Sequence, residues 1–134
     1  MTLRKRRPGL VYPVNEDWHY VGGTDEPAFQ NSWANISGSM RLGFRIRETG
    51  MVDIQGRING GTTTSVVFTL PVGYRPDVAS WLPAIGLAVT GDLDTPVLMG
   101  VGTNGEVRAS NVTTTCDSVW ISGQFFLDSP PSAA

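Results

Sequence analysis

The residues of this chain that could carry chemistry are few and scattered. It has one histidine, His19, and one cysteine, Cys116. A hydrolytic triad would have to run through His19, and nothing near it resembles a nucleophile elbow. The nearest carboxylate pairs for glycoside cleavage are Asp92 with Asp94 and Glu16 with Asp17, and both read as solvated loop acids. Gly100-Val101-Gly102 lacks the rest of a dinucleotide fingerprint and reads as turn chemistry. A lone cysteine excludes an intrachain disulfide and a multi-cysteine metal site, so Cys116 reads as a small apolar filler. His19 lies between Trp18 and Tyr20, and a ring making one hydrogen bond is the simplest expectation. The sharper alternative has His19 meeting two copies of itself around a metal on a threefold axis. This supply of groups points away from turnover: the sequence predicts no enzyme, no cofactor and no intrachain metal site.

Contact surface is what the chain has in quantity. Trp18, Tyr20, Phe29 and Trp33 fall within sixteen residues, interspersed with Gly, Pro, Gln and Asn. Large rings bury roughly 150–250 Å² each, so leaving several exposed is costly. Either these rings cap one end of the domain's own core, or they bury against neighbouring subunits, where Trp and Tyr are enriched.

The elements that must position these groups are short and β-rich. A chain of 134 residues with 40% hydrophobic and 16% charged content can bury the core of one domain, and 16 Gly with 9 Pro argue for many turns. From Met40, Leu42, Phe44 and Ile46 alternate with Arg41, Gly43, Arg45 and Arg47, which predicts a half-buried strand. After the Thr49-Gly50 turn, Val52, Ile54 and Ile58 oppose Asp53, Gln55 and Arg57, with Arg45 and Arg47 set to face Asp53 across the hairpin. Asn59-Gly60-Gly61 breaks the chain before a β-favouring run from Thr62 to Leu70. Pro71, Gly73, Tyr74, Arg75 and Pro76 cannot continue that strand and predict a structural turn, with the Tyr74 ring closing over the core.

Further on, Val78 to Val89 reads as a strand pair or one bent strand, with Pro83 and Gly86 marking a bulge or edge. Pro96 to Val101 and Glu106 to Ser110 flank Asn104-Gly105, a type I′ hairpin signal. The last run, Ser118 to Leu127, alternates Val119, Ile121, Phe125 and Leu127 with Trp120, Ser122, Gln124 and Phe126. Seven or eight short strands without a helical stripe predict an all-β fold, an antiparallel β-sandwich or jelly-roll-like single domain. It spans residues 17–128, behind an extended N-terminal arm (1–16) and ahead of a flexible C-terminal tail (129–134).

Charge divides the chain in the same place. The net charge is −2, but Arg4, Lys5, Arg6 and Arg7 all precede Pro8, and the remainder holds six basic against twelve acidic residues, about −6. An acidic body is a poor nucleic-acid binder. Leu10, Val11 and Tyr12 follow the basic cluster, so the arm reads as a docking segment that is basic first and apolar second. No run approaches the ~18 apolar residues of a membrane helix. Pro8, Gly9, Pro13 and Asn15 interrupt any apolar region behind the basic cluster, unlike a secretion signal.

Three segments together resemble a small β-rich module of bacteriophage particles. They are Trp18, Val21 and Gly22; Glu26-Pro27-Ala28-Phe29 with Asn31 and Trp33; and Phe68-Thr69-Leu70-Pro71-Val72-Gly73-Tyr74-Arg75-Pro76. The closing strand with Trp120 and Phe125 fits as well, so the resemblance covers about Asp17 to Leu127. Such modules occur in head decorations, head fibres, tail fibres, baseplates and receptor-binding tips. The resemblance implies a homotrimer, with Trp18, Tyr20, Phe29 and Trp33 at the subunit interface. Fibre tips usually follow a long shaft, whereas only about seventeen residues precede the domain here. The expectation is therefore a trimeric capsid decoration or head-fibre protein on the virion surface, made in the host bacterial cytoplasm. Its arm, through Arg4, Lys5, Arg6, Arg7, Leu10, Val11 and Tyr12, would dock on the major capsid protein. The alternative is a tail-fibre or baseplate tip, partnered by tail components and recognising a host surface glycan.

Overall fold

A computed structural model describes residues 16–61, 65–88, 93–110 and 116–127. Among them the fold is all-β and antiparallel, without a helix. Nine strands follow in chain order: β1 (His19–Tyr20), β2 (Ala34–Asn35), β3 (Gly43–Ile46), β4 (Met51–Asn59), β5 (Val66–Thr69), β6 (Ser80–Ala88), β7 (Leu93–Val101), β8 (Glu106–Ser110) and β9 (Cys116–Phe126). They hydrogen-bond in the order β1-β3-β4-β9-β6-β7-β8-β5, with β2 added to β4. The arm residues Arg4, Lys5, Arg6, Arg7, Leu10, Val11 and Tyr12, and the tail 129–134, lie outside the described residues.

The alternating pattern sets each strand's facing. In β4, Val52, Ile54 and Ile58 are fully buried and the residues between them are half-buried, as the period of two requires. The gap in that apolar row is Gly56, at φ 152°, where an added Cβ would fall 2.4 Å from Leu42 Cα. Backbone from the segment before β3 occupies the space that a side chain would otherwise fill. In β9, Val119, Ile121 and Phe125 are buried while Trp120, Ser122, Gln124 and Phe126 are exposed, matching the sequence pattern.

The long path forms a curled sheet whose central strands pair over part of their length. β6 pairs with β9 only from Ala84 to Ala88, and before Ala84 the two strands diverge. The wedge between them is filled by buried Leu82, whose side chain sits where Gly123 lacks one. Pro83, without an N–H to donate, lies in the residue just before this pairing begins. The two ends of the path curl toward each other, and Phe44 of β3 stacks on Phe68 of β5 with ring centroids 5.8 Å apart.

The outer edge of β5 is not left bare. Gln30 N–H donates to Val67 O at 2.8 Å and Asn31 Nδ2 to Val66 O at 2.9 Å. The Trp33 indole then donates to Ser65 Oγ at 2.9 Å. The bonds to Val66 and Val67 satisfy edge carbonyls that would otherwise invite another strand.

The structure refines the sequence expectations in three places. β1 and β2, two residues each, are too short for periodicity to show. The run after Val78 forms one strand, Ser80–Ala88, rather than a pair, with its register shift at Gly86/Leu87, as the bent-strand reading allowed. Asn104-Gly105 is not a type I′ turn, because that turn needs positive φ at both central residues. Only Gly105 has it, at 89°, and Gly105 N–H bonds back to Gly102 O. Thr103 and Asn104 are thus the central pair, and Gly105 is the left-handed residue that follows. Gly50, at φ 83° with its N–H on Arg47 O, closes the β3–β4 hairpin in the same way.

Candidate functional site

The three segments singled out in the sequence each send one side chain to a common point. β1 supplies His19, the loop after it supplies Glu26, and the turn after β5 supplies Tyr74, whose N–H bonds Pro71 O at 3.1 Å. Glu16, at the root of the arm, completes the group. His19 Nδ1 donates to Glu26, with Oε2 at 2.9 Å, and Nε2 donates to Glu16 Oε1 at 2.7 Å. Glu16 also accepts from the Ile46 N–H at 2.6 Å and from the Tyr74 hydroxyl. The imidazole stacks on Phe44 at 5.2 Å, and Tyr74 meets both rings edge-on.

The electrostatics follow from this geometry. Burial works against the charged form of His19, but the Glu16 hydrogen bond and the Glu26 and Glu16 charges outweigh it and raise its pKa above the ordinary 6.5. Burial likewise works against ionised Glu16. The donors Tyr74, Ile46 N–H and His19 overcome it and hold the carboxyl below its ordinary 4.5. Burial, with the Glu16 hydrogen bond and charge behind it, pushes Tyr74 well above the usual phenol range. His19 is therefore braced between two carboxylates that favour its protonated form, in which both ring nitrogens donate. In that form the ring keeps no lone pair to offer a metal. The expectation of a single hydrogen bond undercounted, since His19 makes two strong ones. No group of His, Cys, Asp and Glu suited to a metal ion occurs among the described residues.

Chemically the cluster is a strut. It fixes the root of the arm to β3 through Ile46, to β1 through His19 and to the 71–76 turn through Tyr74. Its members lie up to 58 residues apart in the chain, so no local spacing reveals them. Arg75 of the same turn donates from Nε to Leu70 O at 2.8 Å and packs beside Gly105.

The four aromatic residues expected at a subunit interface sit differently from one another. Trp33 is buried and Phe29 packs partly against the core. Trp18 and Tyr20 remain half-buried, each with a guanidinium over its ring: Arg45 at 4.5 Å and Arg41 at 3.9 Å. The strongly exposed rings lie elsewhere. On the outer face of β6, β7 and β9, Trp81, Ile85, Leu98 and Trp120 all stand in solvent. Ile85 is paired with Trp120 and Pro83 with Leu98, so the four side chains form one strip. Its sequence signal is the run Trp81-Leu82-Pro83-Ala84-Ile85-Gly86-Leu87-Ala88, which has no polar position on either face. A strand apolar on both faces is a strand to be covered twice. Compared with known proteins, the chain matches no protein-family model and no curated sequence.

Proposed function

We propose that this protein is a bacteriophage virion structural protein, a homotrimeric capsid decoration or head-fibre subunit that assembles and binds without turning over a substrate. The observation that carries the reading is the exposed apolar strip of Trp81, Ile85, Leu98 and Trp120. Its occupant is a second copy of this chain. After Arg7 each copy carries about −6, so like-charged bodies repel unless they meet through a neutral patch, and this strip of four apolar side chains is one. Of the four aromatic residues expected at the interface, Trp33 is committed to its own core, so the contact falls to the strip. The curled sheet, whose strands β6 and β9 diverge before Ala84, is read as a jelly-roll-like sandwich, the architecture that the resemblance to phage modules implies.

The arm then anchors the trimer. Arg4, Lys5, Arg6 and Arg7 meet acidic shell surface, while Leu10, Val11 and Tyr12 seat on the major capsid protein. Glu16, braced by Ile46, His19 and Tyr74, gives that tether a fixed origin. The working location is the virion surface. The decisive experiment mixes the full chain with purified bare capsids of its phage and measures occupancy by sedimentation. A quadruple charge reversal, R4E/K5E/R6E/R7E, is expected to remain a trimer and to lose capsid binding. Retained occupancy, or a monomeric wild type, overturns the proposal. The alternative, a tail-fibre or baseplate tip, requires a ligand cleft, and the outer face contains a candidate.

A further inference from the structure

We infer that the recess between Trp18 and the β4–β9 strand pair binds a pyranose unit of a neutral saccharide. The recess has a volume of about 350 Å³. Its floor follows from register. Ile54 pairs with Gly123; the Ile54 side chain is buried in the core, and Gly123 has none, so the outer surface there is bare backbone. The flanking pairs, Asp53 with Gln124 and Gln55 with Ser122, point outward around it. Strand geometry sets these four polar side chains at the corners of a rectangle about 7 by 5 Å, the footprint of one six-membered sugar ring. Trp18 and Arg45 form the wall on the β3 side.

The chemistry of the lining selects the ligand class. Gln55, Ser122 and Gln124 make no side-chain hydrogen bond to any described residue, so their amides and hydroxyl are free to address a ligand's hydroxyls. Arg45 is held by Asp53, Nε to Oδ2 at 3.3 Å, and Arg47 approaches the same oxygen at 3.7 Å. These two cations share one carboxylate, which fixes the polar groups without building a strong anion site. An indole beside a few fixed polar groups is how a shallow cleft orients a hydroxylated ring. The lining is too polar for a lipid. β4 and β9 pair with each other along the floor, so neither offers a free edge to an extended peptide.

This inference deepens the receptor-binding alternative and is independent of capsid docking, so the two can fail separately. The experiment uses the full chain, ¹⁵N-labelled, titrated with methyl glycosides of glucose, galactose, mannose, rhamnose and N-acetylglucosamine. At least one is expected to bind with a dissociation constant of roughly 1 mM, reasonable for a ligand of that size. Its shifts should centre on the Trp18 indole and the side-chain amides of Gln55 and Gln124. Gln124→Ala and Gln55→Ala, both outward-facing, should each weaken binding about 10-fold, and Trp18→Ala should abolish it. No shift for any sugar at about 20 mM, some twentyfold above that constant, overturns the inference. So do shifts that map away from these residues, or the two Gln variants binding unchanged. Capsid occupancy of the same samples scores the decoration reading separately.

Discussion

Trp33 and Trp81 both rest on a glycine, and there the likeness ends. A Cβ at Gly61 would fall 2.0 Å from Trp33 ring atoms, and one at Gly100 would fall 3.1 Å from Trp81. Trp33 is 4% exposed and its indole N–H is bonded to Ser65, whereas Trp81 is 63% exposed and bonds to no described residue. A buried indole with its donor satisfied has gone into the fold, and an exposed one with its donor open remains available to a partner. The composition of a segment does not separate the two cases. The aromatic-rich 18–33 stretch looks like a binding surface yet largely closes the sheet, while the plainer β6 carries the exposed face.

The strongest test of that contrast is Trp33→Ala. Removing a buried indole leaves a cavity against Gly61 and removes its hydrogen bond to Ser65 Oγ, and should destabilise the subunit by about 3–5 kcal/mol. Denaturant unfolding, with an unchanged m-value, would measure it. A loss below about 1 kcal/mol would mean that the Trp33 end is not part of the core, and the contrast would fail.

Trp81→Ser probes the other side. Subunit stability should move by no more than about 0.5 kcal/mol, since an exposed ring supports little of the fold. Association should weaken by roughly 2 kcal/mol, about 30-fold in dissociation constant, as for a central interface aromatic. Sedimentation equilibrium at several concentrations separates the two effects. Equal destabilisation by Trp81→Ser and Trp33→Ala would return the strip to the fold and leave self-association without a surface.

The strut at the arm root predicts a pH signature that neither tryptophan shares. Because His19 is raised in the folded state, its contribution is full below 6.5 and fades as pH climbs through the folded value. Glu16 is lowered, so its contribution is full above 4.5 and fades as pH falls through its folded value. Stability should therefore be greatest between 4.5 and 6.5 as far as these two groups decide it. His19→Gln should cost about 1 kcal/mol inside that window, near the lower end for charged hydrogen bonds because the groups are partly exposed. It should also flatten the decline on the alkaline side. A pH profile identical to wild type would remove His19 from the strut.

Much of the fold was legible because strands declare themselves by alternation. The faces of β4 and β9 and the Arg45–Asp53 pair could all be read from a period of two. The closure of the sheet could not. It depends on Gln30, Asn31 and Trp33 reaching residues 65–69, more than 30 positions away, through bonds that leave no periodic trace. The strut was half-legible: the three segments that meet there stood out by composition, but the choice of His19, Glu26 and Tyr74 as the atoms that touch is a tertiary fact. The aromatic strip is masked in the sequence because Pro83 and Gly86 mark β6 as a bulge or edge, whereas its only signal is the absence of polar positions.

The smallest effect sharpens the contrast from inside the loop that delivers Trp33. Asn31 and Ser32 both adopt left-handed backbone, with φ of 55° and 66°. Two such residues in succession cost about 1 kcal/mol or more for anything but glycine. Asn31 offsets its share through the bond from Nδ2 to Val66 O, while the Ser32 side chain bonds to no described residue. Ser32→Gly should therefore relieve strain without losing a contact. The gain is offset in part by the freer unfolded chain, leaving a net stabilisation of about 0.5 kcal/mol. Asn31→Gly relieves the same strain but forfeits its hydrogen bond and should be neutral or destabilising. Urea unfolding of the two variants side by side measures the difference. If Asn31→Gly stabilises as much as Ser32→Gly, the Val66 bond contributes nothing, and the Trp33 loop is held by the Gln30 and Trp33 hydrogen bonds and burial of the indole.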